Sequence, residues 1–248
     1  MPLVKAEVPT IKPSNHQTIN QQPTTINHQN HQNHQNHQNH QNHRTIKPIT
    51  TIIFDLGGVL IDWNPSYLYR KLLPSEAEIG HFLSNIATSD WNEAQDEGRS
   101  LAEGTALLVE QYPEYEALIR AFYGRWPEML GGPITGTVDI LTHLKKEGEY
   151  DLFALTNWSA ETWPIALQEY EFLSWFQGVL VSGEEKMRKP TPAFYHLLEE
   201  RFPLQLSTSL FIDDNLRNVE AARALGLRSI HFHSAEQLRE ELLNLNIL

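Results

Sequence analysis

The 248-residue sequence contains no cysteine, which excludes disulfides and thiolate-held metals. No apolar run reaches the roughly 18 residues needed to cross a bilayer. The N-terminus lacks the apolar core of a secretory signal, so a cytoplasmic protein with no membrane partner is expected. Basic residues are scarce, 19 Lys and Arg against 31 Asp and Glu, for a formal charge of −12. The first 48 residues carry Lys5, Lys12, Arg44 and Lys47 against Glu7 alone, a charge of +3, so the remainder carries −15. A body that acidic is not expected to bind nucleic acid or an anionic membrane. No protein partner can be inferred.

Aliphatic clusters are missing from residues 1–48. A repeating Asn-His-Gln tract runs from Asn27 to Gln41 instead. Such a segment cannot offset the entropy of ordering and is expected to be a disordered, low-complexity tail. It holds seven of the 12 histidines, which could bind a transition metal. An expanded repeat with no selected role accounts for them as well.

What is present in the remaining 200 residues is strand–helix alternation. Buried-strand runs occur at 50–54, 151–155, 178–182, 209–212 and 228–232, and helical spacing at 137–146, 191–202 and 216–225. This predicts an α/β fold, a Rossmann-like parallel sheet with helices on both faces. Residues 66–133 break the alternation and read as helices only, with a Ser75-x-x-Glu78 capping box. They are expected to form an inserted all-helical unit. The core then comprises 49–65 and 134–248. In an open α/β sheet, ligands bind beyond the carboxyl ends of the strands, so an insert leaving from that edge would cover the site.

Four islands at expected strand ends carry chemistry. Asp55 follows Ile52-Ile53-Phe54 and precedes Gly57 and Gly58. Glycines there let backbone N–H groups approach an anion, and a carboxylate so placed can attack phosphorus. A strand-end Asp in a tight turn has the same pattern. Thr156 and Asn157 end the second run; a hydroxyl and a free N–H suit a phosphoryl oxygen, or are ordinary strand-end polarity. Lys189 precedes Pro190 at a strand-to-helix junction, a point charge suited to phosphate or to carboxylates. Asp213 and Asp214 follow Leu210-Phe211-Ile212 and repel one another unless a cation lies between them. Magnesium favours one or two carboxylates plus water and phosphate oxygens. Asp214 or Asn215 could also cap the next helix.

Taken in order, Asp55-x-Gly-Gly-Val, Thr156-Asn157, Lys189-Pro190 and Asp213-Asp214-Asn215 resemble the haloacid dehalogenase-like hydrolase superfamily over about residues 50–235. The likeness is nearest to the C1-capped small-molecule phosphatases, including sugar-phosphate phosphatases. It implies a phosphatase with Asp55 as nucleophile and Mg2+ held by Asp55, the Gly57 carbonyl and Asp214, with Asp213 as a further acidic ligand or a supporting partner. It implies that Thr156, Asn157, Lys189 and the backbone at Gly58 hold the phosphoryl group, and that Thr156 and Lys189 take part in catalysis. The substrate would be a small phosphorylated metabolite, a sugar phosphate being favoured. The phosphatases usually carry an acid–base Asp two residues after the nucleophile, where this chain has Gly57. Either Asp62, Asp90, Glu93 or Asp96 replaces it, or the leaving group needs little protonation, or catalysis is weak. Alternatives are a 2-haloacid dehalogenase-type hydrolase, disfavoured by the Asp213-Asp214 pair, and a non-catalytic binding module. Trp63 and Trp158 flank motifs and are expected to line the pocket.

Overall fold

The computed structural model describes residues 48–248. The expected disordered tail therefore lies, but for its last residue, outside the described residues. Described from Pro48, the chain forms β1 (Thr51–Phe54), β2 (Ile61–Trp63) and the helices α1 (Ser66–Tyr69), α2 (Glu76–Asn85), α3 (Ser89–Asp96), α4 (Leu101–Gln111) and α5 (Glu116–Gly124). Then come β3 (Leu130–Pro133), α6 (Thr135–Glu147), β4 (Asp151–Thr156), α7 (Trp163–Glu169), β5 (Gly178–Val181) and α8 (Ser182–Glu185). The chain finishes with α9 (Pro192–Arg201), β6 (Ser209–Asp213), α10 (Leu216–Ala224), β7 (Arg228–His231) and α11 (Ala235–Asn244).

Five strands form one parallel sheet in the order β5-β4-β1-β6-β7. The α/β class and all five expected strand runs are present. β1 lies at the centre and is buried along its whole length, which is why Ile52-Ile53-Phe54 reads as a continuous apolar run rather than an alternating one. Its side chains still alternate between faces. Ile52 and Phe54 join the core packed by Ile140, Leu141 and Leu144 of α6 and by Leu238 and Leu242 of α11. Ile53 joins the core packed by Phe194, Tyr195 and Leu198 of α9. Each such fully buried side chain contributes about 1.5–3 kcal/mol through apolar burial.

The segment between β2 and β3 holds α1 to α5. Its first long helix starts where the capping box predicts, with Ser75 Oγ accepting from the Glu78 N–H at 3.3 Å. Its interior is aromatic: Tyr69 packs on Phe82 at 4.7 Å between centroids, and Trp91 meets Phe122 edge-on at 5.0 Å. The segment is not helical throughout, contrary to expectation. Leu130–Pro133 forms β3, antiparallel to β2, with Ile61 opposite Pro133 and Trp63 opposite Leu130. The two strands are too short for periodicity to reveal, and β3 is largely Gly and Pro. Glycine is required there: a Cβ on Gly131 would stand 2.2 Å from Asp62 Oδ2. The pair clamps together the two ends of the helical segment. Among the described residues no helix is long and apolar enough to cross a membrane.

Candidate active site

The parallel register brings the ends of three strands side by side. Phe54 of β1 is level with Ala154 of β4 and Ile212 of β6. One residue further on, the Asp55 N–H donates to the Ile212 carbonyl at 2.8 Å. Asp55, Thr156 and Asp213 thus emerge from adjacent strands at the carboxyl edge. Asp55, Asp213 and Asp214 each offer an oxygen, and these oxygens lie within 4.8 Å of one another.

Lys189 is wholly buried beneath them. Its Nζ lies 2.8 Å from Asp55 Oδ2 and 2.7 Å from Asp213 Oδ2, and donates to the Leu155 carbonyl at 2.9 Å. Three partners use all three ammonium hydrogens, so Lys189 acts on the cavity through its charge. Burial alone would push this ammonium down, but the Asp213 and Asp55 carboxylates outweigh it and hold the pKa above its ordinary value. Burial pushes the Asp55 carboxyl well above the usual range. Lys189 opposes that rise, while Asp213 and Asp214 add to it. Asp214 is likewise raised, by burial and then by Asp213.

Asp213 is fully enclosed. Asn218 Nδ2 reaches both of its oxygens at 3.1 Å, and the Asn215 N–H donates to Oδ1 at 2.8 Å. Asn215 is itself the N-cap of α10, accepting from the Arg217 N–H at 3.0 Å. Asp214 is exposed toward the cavity. An all-oxygen carboxylate set of this kind, with an ammonium behind it, fits a hard divalent cation of the magnesium type. The residues positioned to hold one are Asp55, Asp214 and, one step deeper, Asp213.

A cavity of about 260 Å3 opens over this cluster. Asp55, Gly57, Gly58, Asn157 and Asp214 line it, and so do Trp63 and Trp158 as the sequence predicts. Thr156 and Lys189 do not reach its surface. Asn157 lines it, yet its amide clasps the Lys189 backbone, with Nδ2 donating to the carbonyl at 3.0 Å and Oδ1 accepting from the N–H at 2.9 Å. Buried Thr156 Oγ1, Trp158 Nε1 and Asn218 Oδ1 have no protein partner. Trp158 and Asn218 line the cavity, and unpartnered polar atoms on two lining residues suit a polar ligand or water, since unpartnered buried groups are costly. A Cβ on Gly57 would meet nothing within 4 Å, so packing does not forbid a side chain there.

The sequence reading missed part of the lining. Ser89, Asn92, Ser159, Thr162 and Asn218 all contribute. Only Asn218 left a trace in the sequence, one turn into the helix that follows Asp213-Asp214-Asn215. The others come from the helical segment and from the loop after β4. Arg188 and Arg217 hold the helical segment in place: both pair with Glu93 of α3, at 2.9 and 2.8 Å.

Comparison with known proteins agrees with this geometry. A drimenol cyclase, drtB, from Aspergillus calidoustus is 31% identical over 211 residues, which is 79% of this chain and 36% of that protein. The chain thus spans about a third of that relative's length. The sesquiterpene phosphatase astK of Aspergillus oryzae is 26% identical over 179 residues, covering 72% of this chain and 87% of that one. Among solved structures, the HAD family enzyme bt-2542 of Bacteroides thetaiotaomicron in its magnesium complex superposes with a TM-score of 0.62 at 22% identity, over 79% of this chain and 99% of that one. The same enzyme is also known with magnesium and inorganic phosphate bound. The profile of the haloacid dehalogenase-like hydrolases matches residues 49–226, and the chain belongs to that family.

Proposed function

We propose that this protein is a magnesium-dependent phosphomonoester hydrolase acting on a small phosphorylated metabolite through an aspartyl-phosphate on Asp55. The observation that carries the reading is the Asp55–Lys189–Asp213 cluster with Asp214 beside it, at the floor of a cavity. Three carboxylates against one ammonium leave a negative site that a divalent cation completes. A metal-free halide site would suffer from that charge, which argues against the dehalogenase reading. A non-catalytic module has no need of a nucleophile placed with its metal ligands.

Asp55 attacks phosphorus and the alcohol departs; water then cleaves the aspartyl-phosphate and frees Asp55. Mg2+, when bound by Asp55, the Gly57 carbonyl and Asp214, supplies charge neutralisation for the phosphoryl oxygens. Lys189 keeps Asp55 and Asp213 from repelling one another and adds positive charge under the transferring group. Asn157 fixes the Lys189 backbone; the Gly58 N–H, expected to hold the phosphoryl group, is instead donated to the Ile61 carbonyl at 2.9 Å, so Gly58 lines the cavity without a free donor. The helical segment, proposed as a cap over residues 66–133, excludes water from the reaction.

A sugar phosphate remains one substrate reading, supported by the polar side chains of Ser89, Asn92, Ser159 and Thr162 around the cavity. A sesquiterpenyl phosphate is the other. It is supported by the relatedness to a sesquiterpene phosphatase and by four aromatic rings, Trp63, Tyr123, Trp126 and Trp158, in the wall. The test is phosphate release from glucose 6-phosphate, glucose 1-phosphate and farnesyl phosphate, with magnesium and with EDTA, by the wild type and Asp55→Asn. Magnesium-dependent release that falls below a few per cent in the variant is expected. A variant that keeps more would sink the nucleophile assignment, since the Lys189–Asp213 pair remains to hold the fold.

A further inference from the structure

Gly57 cannot protonate a leaving group, and the sequence offers four carboxyl groups in its place. The fold separates them. Asp62 is turned to the β2–β3 pair, where it accepts from Tyr67 OH at 2.7 Å, and neither it nor Asp90 lines the cavity. Glu93 lines it, but its two oxygens are committed to Arg188 and Arg217. Asp96 lines it as well and makes no ion pair of that kind among the described residues.

Asp96 is held in place on every side. Its Oδ2 accepts from Asn92 Nδ2 at 2.9 Å, and Asn92 Oδ1 in turn accepts from Tyr123 OH at 2.9 Å. The Ser159 backbone N–H also reaches its carboxyl. Its carbonyl oxygen accepts from Ser182 Oγ, and that hydroxyl accepts from the Trp158 N–H at 2.9 Å. These bonds tie the end of α3 to the loop that follows Thr156 and Asn157. The charged and titratable groups around Asp96 are Glu93 on its own helix, Arg188 before Lys189, and Tyr123 on α5. Burial first, and Glu93 second, push its carboxyl up to about 7 against the opposing pull of Arg188 and Ser159. A group poised near neutral pH suits both halves of a proton transfer.

We propose that Asp96, from the helical segment, is the general acid and base of this site and performs the task that Gly57 cannot. The inference rests on the phosphatase reading. In the first half-reaction the bond from phosphorus to the leaving oxygen breaks as the Asp55 oxygen bonds to phosphorus. The Asp96 carboxyl gives its proton to the departing alkoxide, which leaves as the alcohol. In the second, a water oxygen bonds to phosphorus, the Asp55–phosphorus bond breaks, and Asp96 takes one water proton. Phosphate departs with the other proton, and Asp96 is again protonated. Catalysis then depends on how the two are held together, because the proton donor belongs to the helical segment and the nucleophile to the sheet.

The test compares Asp96→Asn with the wild type on two classes of substrate. Glucose 6-phosphate and farnesyl phosphate release poor leaving groups; p-nitrophenyl phosphate and acetyl phosphate release good ones. The variant is expected to lose about 10²-fold or more in kcat/KM on the first class and less than about tenfold on the second, as removal of a general acid predicts. The alkaline fall in wild-type kcat/KM on the first class should vanish in the variant. Retained turnover of p-nitrophenyl phosphate also shows that the variant is folded. Equal losses on both classes, or no loss on either, with the alkaline limb unmoved, overturn the assignment of Asp96 alone. A wild type silent on all four compounds overturns the phosphatase reading and the proposal with it.

Discussion

A Cβ placed on Gly58 would stand 2.2 Å from Oδ2 of Asp214, closer than any real contact. Gly58 also has a φ of +75°, a left-handed conformation that costs an L-residue about 1–2 kcal/mol. The strand-end turn and the position of Asp214 therefore depend on each other. Gly58→Ala is expected to push the Asp214 carboxylate aside and weaken magnesium binding by tenfold or more, on the order of 1.4 kcal/mol. Calorimetric titration with Mg2+ measures it. An unchanged affinity would mean that Asp214 is not a ligand.

Among the described residues, Lys189 is the one cationic side chain paired with Asp55 and Asp213. Lys189→Met keeps the aliphatic stem, which also runs over the Phe211 ring, and removes the charge. Breaking a buried ion pair by removing one partner costs about 3–5 kcal/mol, and a loss of that size is expected in urea unfolding at pH 7. The deficit should shrink as pH falls, because Asp55, whose carboxyl burial holds above the usual range, then takes up a proton and no longer repels Asp213. A loss under about 1 kcal/mol would show that water already screens the pair.

Asp96 gives a pH dependence of defined sign. Its folded pKa of about 7 lies above the ordinary carboxyl value of about 4. The folded state thus binds that proton more tightly than the unfolded chain. The stability this contributes is complete below pH about 4 and is lost as pH rises through about 7. Asp96→Asn removes the proton linkage. Relative to the wild type, the variant should gain about 3–4 kcal/mol between pH 4 and pH 8. Urea melts at pH 4, 6 and 8 measure the difference; one that stays constant across them contradicts a raised pKa.

The sheet was readable in the sequence for a specific reason. A central parallel strand is buried on both faces, so Ile52-Ile53-Phe54 and Leu210-Phe211-Ile212 show as uninterrupted apolar runs. The polar residue that ends each run then marks the carboxyl edge, where parallel topology gathers ligand groups. Capping chemistry was equally local: Ser75 and Glu78 are three residues apart and name their own helix start. The β2–β3 pair was not readable, because it joins residues about 70 positions apart and β3 carries Gly131, Gly132 and Pro133. The same limit held for Asn157. Its identity suggested a phosphate contact, whereas its amide is engaged by Lys189, 32 residues away.

By itself, then, the sequence determined the fold class and the residues at the strand ends, because those follow from runs and spacings a few residues long, and its motifs carried the family resemblance that the profile match bears out. It also left four candidates for one missing acid. Only the tertiary structure could choose among them, since the choice turns on which carboxyl faces the cavity and which is held by guanidinium groups. Arg188 and Arg217 engage Glu93 from 95 and 124 positions along the chain, and Ser159 and Ser182 anchor Asp96 from across the fold. The charge and desolvation that tune a carboxyl come from neighbours in space, and no local pattern records them.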